Sequence, residues 1–247
     1  MAVPELLVLL AAGLAAGALS GLFGIGGGIV MTPVLVYALG RPWEEAVALS
    51  LFAIALQSPL GVWQHRRRGA VDLRLALPIA VAGLLGVAFG DWLLPRTPVP
   101  WLKLAFALLM AFAAYRMVAS VPAPRVDDAP MAALAGLGVA AGLASRLFGI
   151  GGGLLTVPVL VLMGTRTHVA VGSSLVPVFV AAAAATVVHL ARGTLALLDG
   201  LVLAFGALAG VTGGVRLAHA LPERGLRRVF AIALVVAAVY VAATSGV

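Results

Sequence analysis

Apolar stretches alternate with short polar punctuation along nearly the whole chain, and each stretch approaches the roughly 20 residues that a membrane helix needs. The first runs from about Glu5 to Leu22. A shorter one, Gly28 to Leu39, ends at Gly40-Arg41-Pro42. A third runs from Glu45 to Trp63 and stops at the basic cluster His65-Arg66-Arg67-Arg68-Gly69. The fourth covers Leu73 to Leu94 and is closed by Pro95, Pro98 and Pro100; the fifth spans Trp101 to Val118. A linker rich in proline and charge follows, from Ser120 to Pro130.

The second half then repeats the first. Phe23-Gly24-Ile25-Gly26-Gly27-Gly28 recurs as Phe148-Gly149-Ile150-Gly151-Gly152-Gly153, and Pro33 recurs as Pro158. One deletion later, Ala46 to Ser50 aligns with Ala170 to Ser174, and His65 to Gly69 with His189 to Gly193. Gly86 and Gly90 align with Gly210 and Gly214. Matches spread at nearly one offset mean duplication: a first repeat over 1–119, a linker over 120–130 and a second repeat over 131–247, together one transmembrane domain.

Composition agrees with the pattern. Of 247 residues, 63% are hydrophobic and 10% charged, where a soluble domain carries about a quarter charged residues. The expected fold is therefore an all-α integral membrane protein. Cysteine is absent, which excludes disulfides, thiolate metal sites and a persulfide carrier. The start, Met1 to Ser20, lacks a positive n-region and carries Glu5, so it reads as a retained first segment and not as a signal peptide. The net charge of +7 reads as basic cytoplasmic loops and not as a nucleic-acid surface.

Charge also bears on how the halves are related. If the two segments flanking each glycine run form a hairpin, the halves are inverted. One face then collects Arg66, Arg67, Arg68, Arg74, Arg116, Arg125, Arg166, Arg216, Arg224, Arg227 and Arg228, against Arg41, Arg96, Lys103, Arg146 and Arg192 on the other. If the flanking segments form one broken span, the halves are parallel and the split is nearly even, with Arg146 inside the membrane. The positive-inside rule favours the uneven split. The expectation is two inverted repeats, each a glycine-broken hairpin plus three transmembrane helices, with 8–10 membrane segments in all. A hairpin of full spans and a re-entrant pair of half-helices share this parity. Both termini then lie outside, and the Arg66–Arg68 loop is cytoplasmic.

Glycine-interrupted segments in inverted repeats point to a transporter site near the membrane midplane. Each run opens onto a new helix start, whose free N–H groups and partial positive charge suit an anion. The candidate binding residues are Gly24, Gly26, Gly27 and Gly28 with Gly149, Gly151, Gly152 and Gly153. Thr32 and Thr156, just beyond the glycines, join them, as do Ser50, Ser173, Ser174 and Gln57, polar residues that are costly to leave unpaired in lipid. Pro33 and Pro158 are helix breakers. Two plainer readings compete: close helix packing for the glycines, and hydroxyls bonded to the preceding turn for serine and threonine. Asp91 falls near the end of the fourth stretch, at an interface or on a proton path. His65 and His189 occupy matching loop-edge positions, and His168 and His219 show no metal spacing with either. No catalytic triad, paired-carboxylate or phosphate-loop pattern is present, so neither an enzyme nor a metal or other cofactor is expected.

The repeated Gly-Ile-Gly-Gly-Gly with its proline, the Ala-Val-x-x-Ser stretch, the His/Arg-x-Gly turn and the later Gly-x-x-x-Gly resemble the TauE/SafE family over nearly the whole chain. The resemblance implies an inner-membrane, multi-pass exporter of small sulfur-containing anions: sulfite, sulfoacetate or related organosulfonates. It carries over onto Gly24, Gly26–Gly28, Pro33 and Ser50, and onto Gly149, Gly151–Gly153, Pro158 and Ser174. The second half departs at His189-Leu190-Ala191-Arg192, with one arginine where the first half has three. The expected partners are that anion and the lipid bilayer, and a homodimer is compatible with the pattern. Import of thiosulfate or another anion is the alternative, as is a non-transporting scaffold.

Overall fold

The structure is a computed structural model that describes residues 3–93, 108, 111, 114–115, 130–148 and 152–243. Gly149 and Gly151, the linker residues 120–129 and most of the stretch from Trp101 to Val118 lie outside the described residues, as does the side chain of Asp91. Among the described residues the regular structure is helical, with no strand. In chain order it comprises α1 (Val3–Phe23), α2 (Gly28–Pro33), a π-helical continuation (Val34–Ala38), α3 (Trp43–Arg66) and α4 (Leu73–Leu93). The second half supplies α5 (Met131–Phe148), α6 (Gly153–Leu162), α7 (Thr167–Ala191), α8 (Leu197–Ala220) and α9 (Glu223–Ala243).

Among the described residues five helices are long and apolar enough to cross a membrane: α1, α3, α4 as far as Gly90, α7 and α8. The segments that follow the glycine runs are short. α2 with its π continuation covers Gly28–Ala38, and α6 has 10 residues. At 1.5 Å per residue each reaches about 15 Å, half a hydrocarbon core. The hairpins match neither form in full: their first arms, α1 and α5, have 21 and 18 residues, and their second arms are half-helices. Pro33 explains the change of register within the first of them. It offers no N–H to the turn before it, and the helix continues with the wider π spacing.

Packing crosses between the halves. α1 lies along α8, and α4 along α5. Glycines let these backbones touch: a β-carbon on Gly13, Gly17 or Gly21 would overlap the carbonyl oxygens of Leu203, Ala207 and Val211 in turn. From the other side, a β-carbon on Gly206, Gly210 or Gly214 would overlap those of Leu10, Leu14 and Ala18. The equivalents Gly86, Gly138 and Gly142 do the same between α4 and α5. In lipid, where apolar side chains gain nothing from leaving their solvent, such backbone proximity and its dispersion energy hold helices together.

The same contacts give the directions. α1 and α8 run parallel, and α3 runs with them, since Gly200 faces Leu49 and Phe52 while Gln64 bonds Thr212. α4 and α5 run parallel to each other. α7 runs against α3, its Leu175 meeting Gly61 and its Gly172 the end of α3 at His65. It starts beside the start of α4, where the Asp72 N–H donates to Ser173 Oγ at 2.8 Å. Helices α1, α3 and α8 therefore point one way, and α4, α5 and α7 the other.

Replacing Gly17 by leucine forces α1 from α8. We expect it to cost about 3 kcal/mol and to lower the thermal transition of detergent-solubilised protein, followed by loss of the monodisperse chromatographic peak. Gly136, with nothing within 4 Å of an added β-carbon, should tolerate alanine and gain up to about 1 kcal/mol from helix propensity.

Candidate functional site

Each glycine run turns the chain out of a long helix and back along it. Gly24, Gly26 and Gly27 have φ of 70°, 85° and 87°, and Gly152 has φ of 71°, in the left-handed region that strains any residue with a β-carbon. Gly27 abuts the carbonyl of Ala16 in α1, where a β-carbon would lie 2.5 Å from the oxygen. Gly152 abuts the equivalent Ala141 in α5, at 2.6 Å. Both half-helices thus start partway along a long helix and not at its end. Neither α2 nor α6 has a side-chain cap, so their first-turn N–H groups are directed at the break.

The two breaks meet. Gly153, the first residue of α6, packs directly on Gly24 and Ile25, and its missing side chain is the space that the Gly24 carbonyl occupies. That carbonyl shares the Ser174 hydroxyl of α7, at 2.9 Å, with the Val171 carbonyl one turn back in α7, at 2.7 Å. The neighbouring Gly26 carbonyl accepts from Gln57 Nε2 of α3 at 2.7 Å. Thr32 Oγ1 donates to Ser50 Oγ at 3.1 Å, tying α2 to α3. Thr32, Ser50, Gln57 and Ser174 are all buried. Among the described residues, Gln57 Oε1 and the hydroxyls of Ser20 and Ser58 have no hydrogen-bond partner.

The expected residues therefore divide. Gly24, Gly26, Gly27, Gly28, Gly152 and Gly153 form the breaks, and Ser50, Thr32, Gln57 and Ser174 surround them. Thr156 follows the plainer reading: its Oγ1 donates to the Gly152 carbonyl one turn back, at 3.1 Å. Ser173 points to the start of α4 and not to the breaks. The glycines also serve close packing, so packing and chain reversal are two uses of the same residues. Arg146, in the last turn of α5 just before the second break, is a basic residue that spacing alone passes over.

The two ends of the bundle differ in charge. At the end where α1, α3 and α8 begin, Arg41 is bonded to Glu5, to Glu45 at 3.0 Å and to Asp199 at 2.6 Å. Burial opposes its charge, but Asp199, Glu5 and Glu45 outweigh it and hold the guanidinium above its ordinary range. A cleft of about 420 Å³ here is lined by Glu44 and Glu45. At the opposite end a cleft of about 410 Å³ is lined by Arg67, Arg68 and Arg216 with Trp63, Gln64 and Thr212. Among the described residues no group of three His, Asp or Glu side chains is placed to hold a metal ion.

Helices of spanning length, half-helices that turn back at mid-bundle and buried polar side chains at the turn define the class: a multi-pass, all-helical membrane transporter. The chain belongs to the family described as Sulfite exporter TauE/SafE, whose sequence model matches residues 9–241. It is similar to a probable membrane transporter protein of Xylella fastidiosa strain 9a5c, 30% identical over 98% of this chain and 96% of that one. It is 33% identical to one from strain Temecula1 over 72% and 71% of the two chains. A probable membrane transporter protein of Haemophilus influenzae is 31% identical over 68% and 67%. No solved structure matches.

Arg41→Ala leaves Glu5, Glu45 and Asp199 facing one another. We expect a stability loss of roughly 2 kcal/mol at neutral pH, read by thermal unfolding of the detergent-solubilised variant.

Proposed function

We propose that the protein exports a small sulfur-containing anion (sulfite, sulfoacetate or a related organosulfonate) across the inner membrane by alternating access around the paired glycine breaks. One observation carries the reading: the start of α6 from the second half abuts the first half's break at Gly24 and Ile25, beside Gln57 and Ser174. Such a place offers backbone N–H groups and helix-end potential to an oxyanion.

The repeats, 1–119 and 131–247, act as one transport domain in inverted relation. The opposite directions of the equivalents α1 and α5, α3 and α7, and α4 and α8 support this. Alternating access then amounts to one half exchanging its conformation with the other. The Arg66–Arg68 end is cytoplasmic and both termini are outside, as the positive-inside rule favours. In that frame the arginine-lined cleft gathers anions on the cytoplasmic side, and the Glu44–Glu45 cleft discourages their return. An inside-negative potential contributes about 2.3 kcal/mol per charge per 100 mV to anion exit.

Purified protein in proteoliposomes should move sulfite or sulfoacetate, and Gln57→Glu should reduce that flux at least tenfold. A carboxylate there repels the anion and withdraws the N–H that meets the Gly26 carbonyl, at a combined cost of well over 1 kcal/mol in a medium of low dielectric. Flux equal to wild type in the variant would overturn the site; no flux of any sulfur anion in wild type would overturn the function.

A further inference from the structure

Three of the four histidines, from positions far apart in sequence, converge one helical turn from the first glycine break. His65, at the end of α3, is fully buried. Its Nε2 lies 3.0 Å from the carbonyl oxygen of Gly21, in the last turn of α1. Its Nδ1 lies 3.0 Å from Nε2 of His219, near the end of α8. The rings of His219 and His168, the latter at the start of α7, are 5.3 Å apart.

Hydrogen-bond chemistry fixes where the protons are. A carbonyl only accepts, so His65 Nε2 carries a hydrogen and donates it to Gly21. With His65 neutral, its Nδ1 has a lone pair and accepts from His219 Nε2–H. His219 is half-buried, and its Nδ1 is the nitrogen of the pair that keeps a free lone pair. His168 sits between two acceptors, the Ala218 carbonyl at 3.0 Å and a Glu223 carboxylate oxygen at 2.7 Å. The charge facing the pair from the turn after α3 is Arg68; Arg216 lies one turn earlier on α8, Glu223 meets His168 from α9, and the charged residue of α1, Glu5, is at the opposite end.

We infer that the His65–His219 pair is a proton-binding site linked to the anion site, a reading that rests on the function proposed above. A proton taken up at His219 Nδ1 gives a pair that shares one N–H between two rings and carries a single positive charge. The Gly21 carbonyl that His65 holds is one residue from Ser20, whose own carbonyl accepts from the Gly24 N–H at 2.7 Å. The charge therefore lies beside the first break, where it favours an anion. The duplicated counterpart, His189, is also buried, but its Nδ1 meets the Thr194 hydroxyl at 2.9 Å, a contact that a neutral ring satisfies. Structure alone needs only the His189 arrangement; the imidazole pair is confined to the basic end of the bundle.

By linkage, anion affinity and proton uptake must change together. The probe is sulfoacetate, whose charge is constant near neutrality, measured by calorimetry on the full protein in detergent in two buffers of different ionisation heat. Wild type should bind about tenfold tighter at about pH 5 than at about pH 7 and take up protons on binding. His219→Asn, at the half-buried member, should bind with no pH dependence and no proton uptake; His189→Asn should keep both. Should His65→Asn fail to fold, His219→Asn decides alone. Wild-type binding that is independent of pH, or pH dependence kept in His219→Asn, overturns the inference while leaving the transport reading standing. No binding and no liposome flux of any sulfur anion in wild type overturns both.

Discussion

A break in a helix at membrane depth exposes carbonyls and N–H groups that lipid cannot satisfy, and each orphan costs several kcal/mol. The rest of the molecule follows from that cost. The Gly24 carbonyl is met by Ser174 and the Gly26 carbonyl by Gln57, so helices from both halves are required around one break. The arrangement needs side chains short enough, or absent altogether, to let Gly153 reach Gly24. Satisfaction is incomplete, since Gln57 Oε1 and the hydroxyls of Ser20 and Ser58 remain unpartnered among the described residues. A polar surplus at the core of an apolar bundle is the usual mark of a place that does more than hold shape.

Much of this was legible along the chain. Hydropathy places α1, α3 and α4 to within about three residues, because lipid imposes a length and each polar punctuation ends a helix. The glycine runs announce themselves, since so many glycines in apolar sequence would be wasteful in an unbroken helix. Ser50, Gln57 and Ser174 are visible as polar residues in apolar surroundings. The half-length of α2 and α6 was less plain, because parity in charge counting is blind to how deep a hairpin reaches.

What stayed hidden depends on contacts between distant parts of the chain. His65, His168 and His219 are separated by dozens of residues and share no spacing that marks them, so only the crossing of α3, α7 and α8 reveals the cluster. Arg41 likewise looks like loop punctuation until Glu5 and Asp199 are brought to it. Thr156 and Ser173 carry the same polar signal as Ser174, yet Thr156 turns to a local carbonyl and Ser173 to a neighbouring helix start, while Ser174 reaches Gly24 as well as its local carbonyl. A hydroxyl's direction is set by rotamer and partner, neither of which a one-dimensional pattern records.

The lengthwise contact of α1 with α8 has a consequence for biogenesis. The glycine face of α1 meets its partner nearly 200 residues later in the chain. At about 5–20 residues per second of synthesis, that is a delay of roughly 10–40 s. Throughout it, Gly13, Gly17 and Gly21 lack the partner that covers them in the finished fold. The first half is therefore a waiting intermediate, completed only when α8 arrives to cover the face that α1 presents.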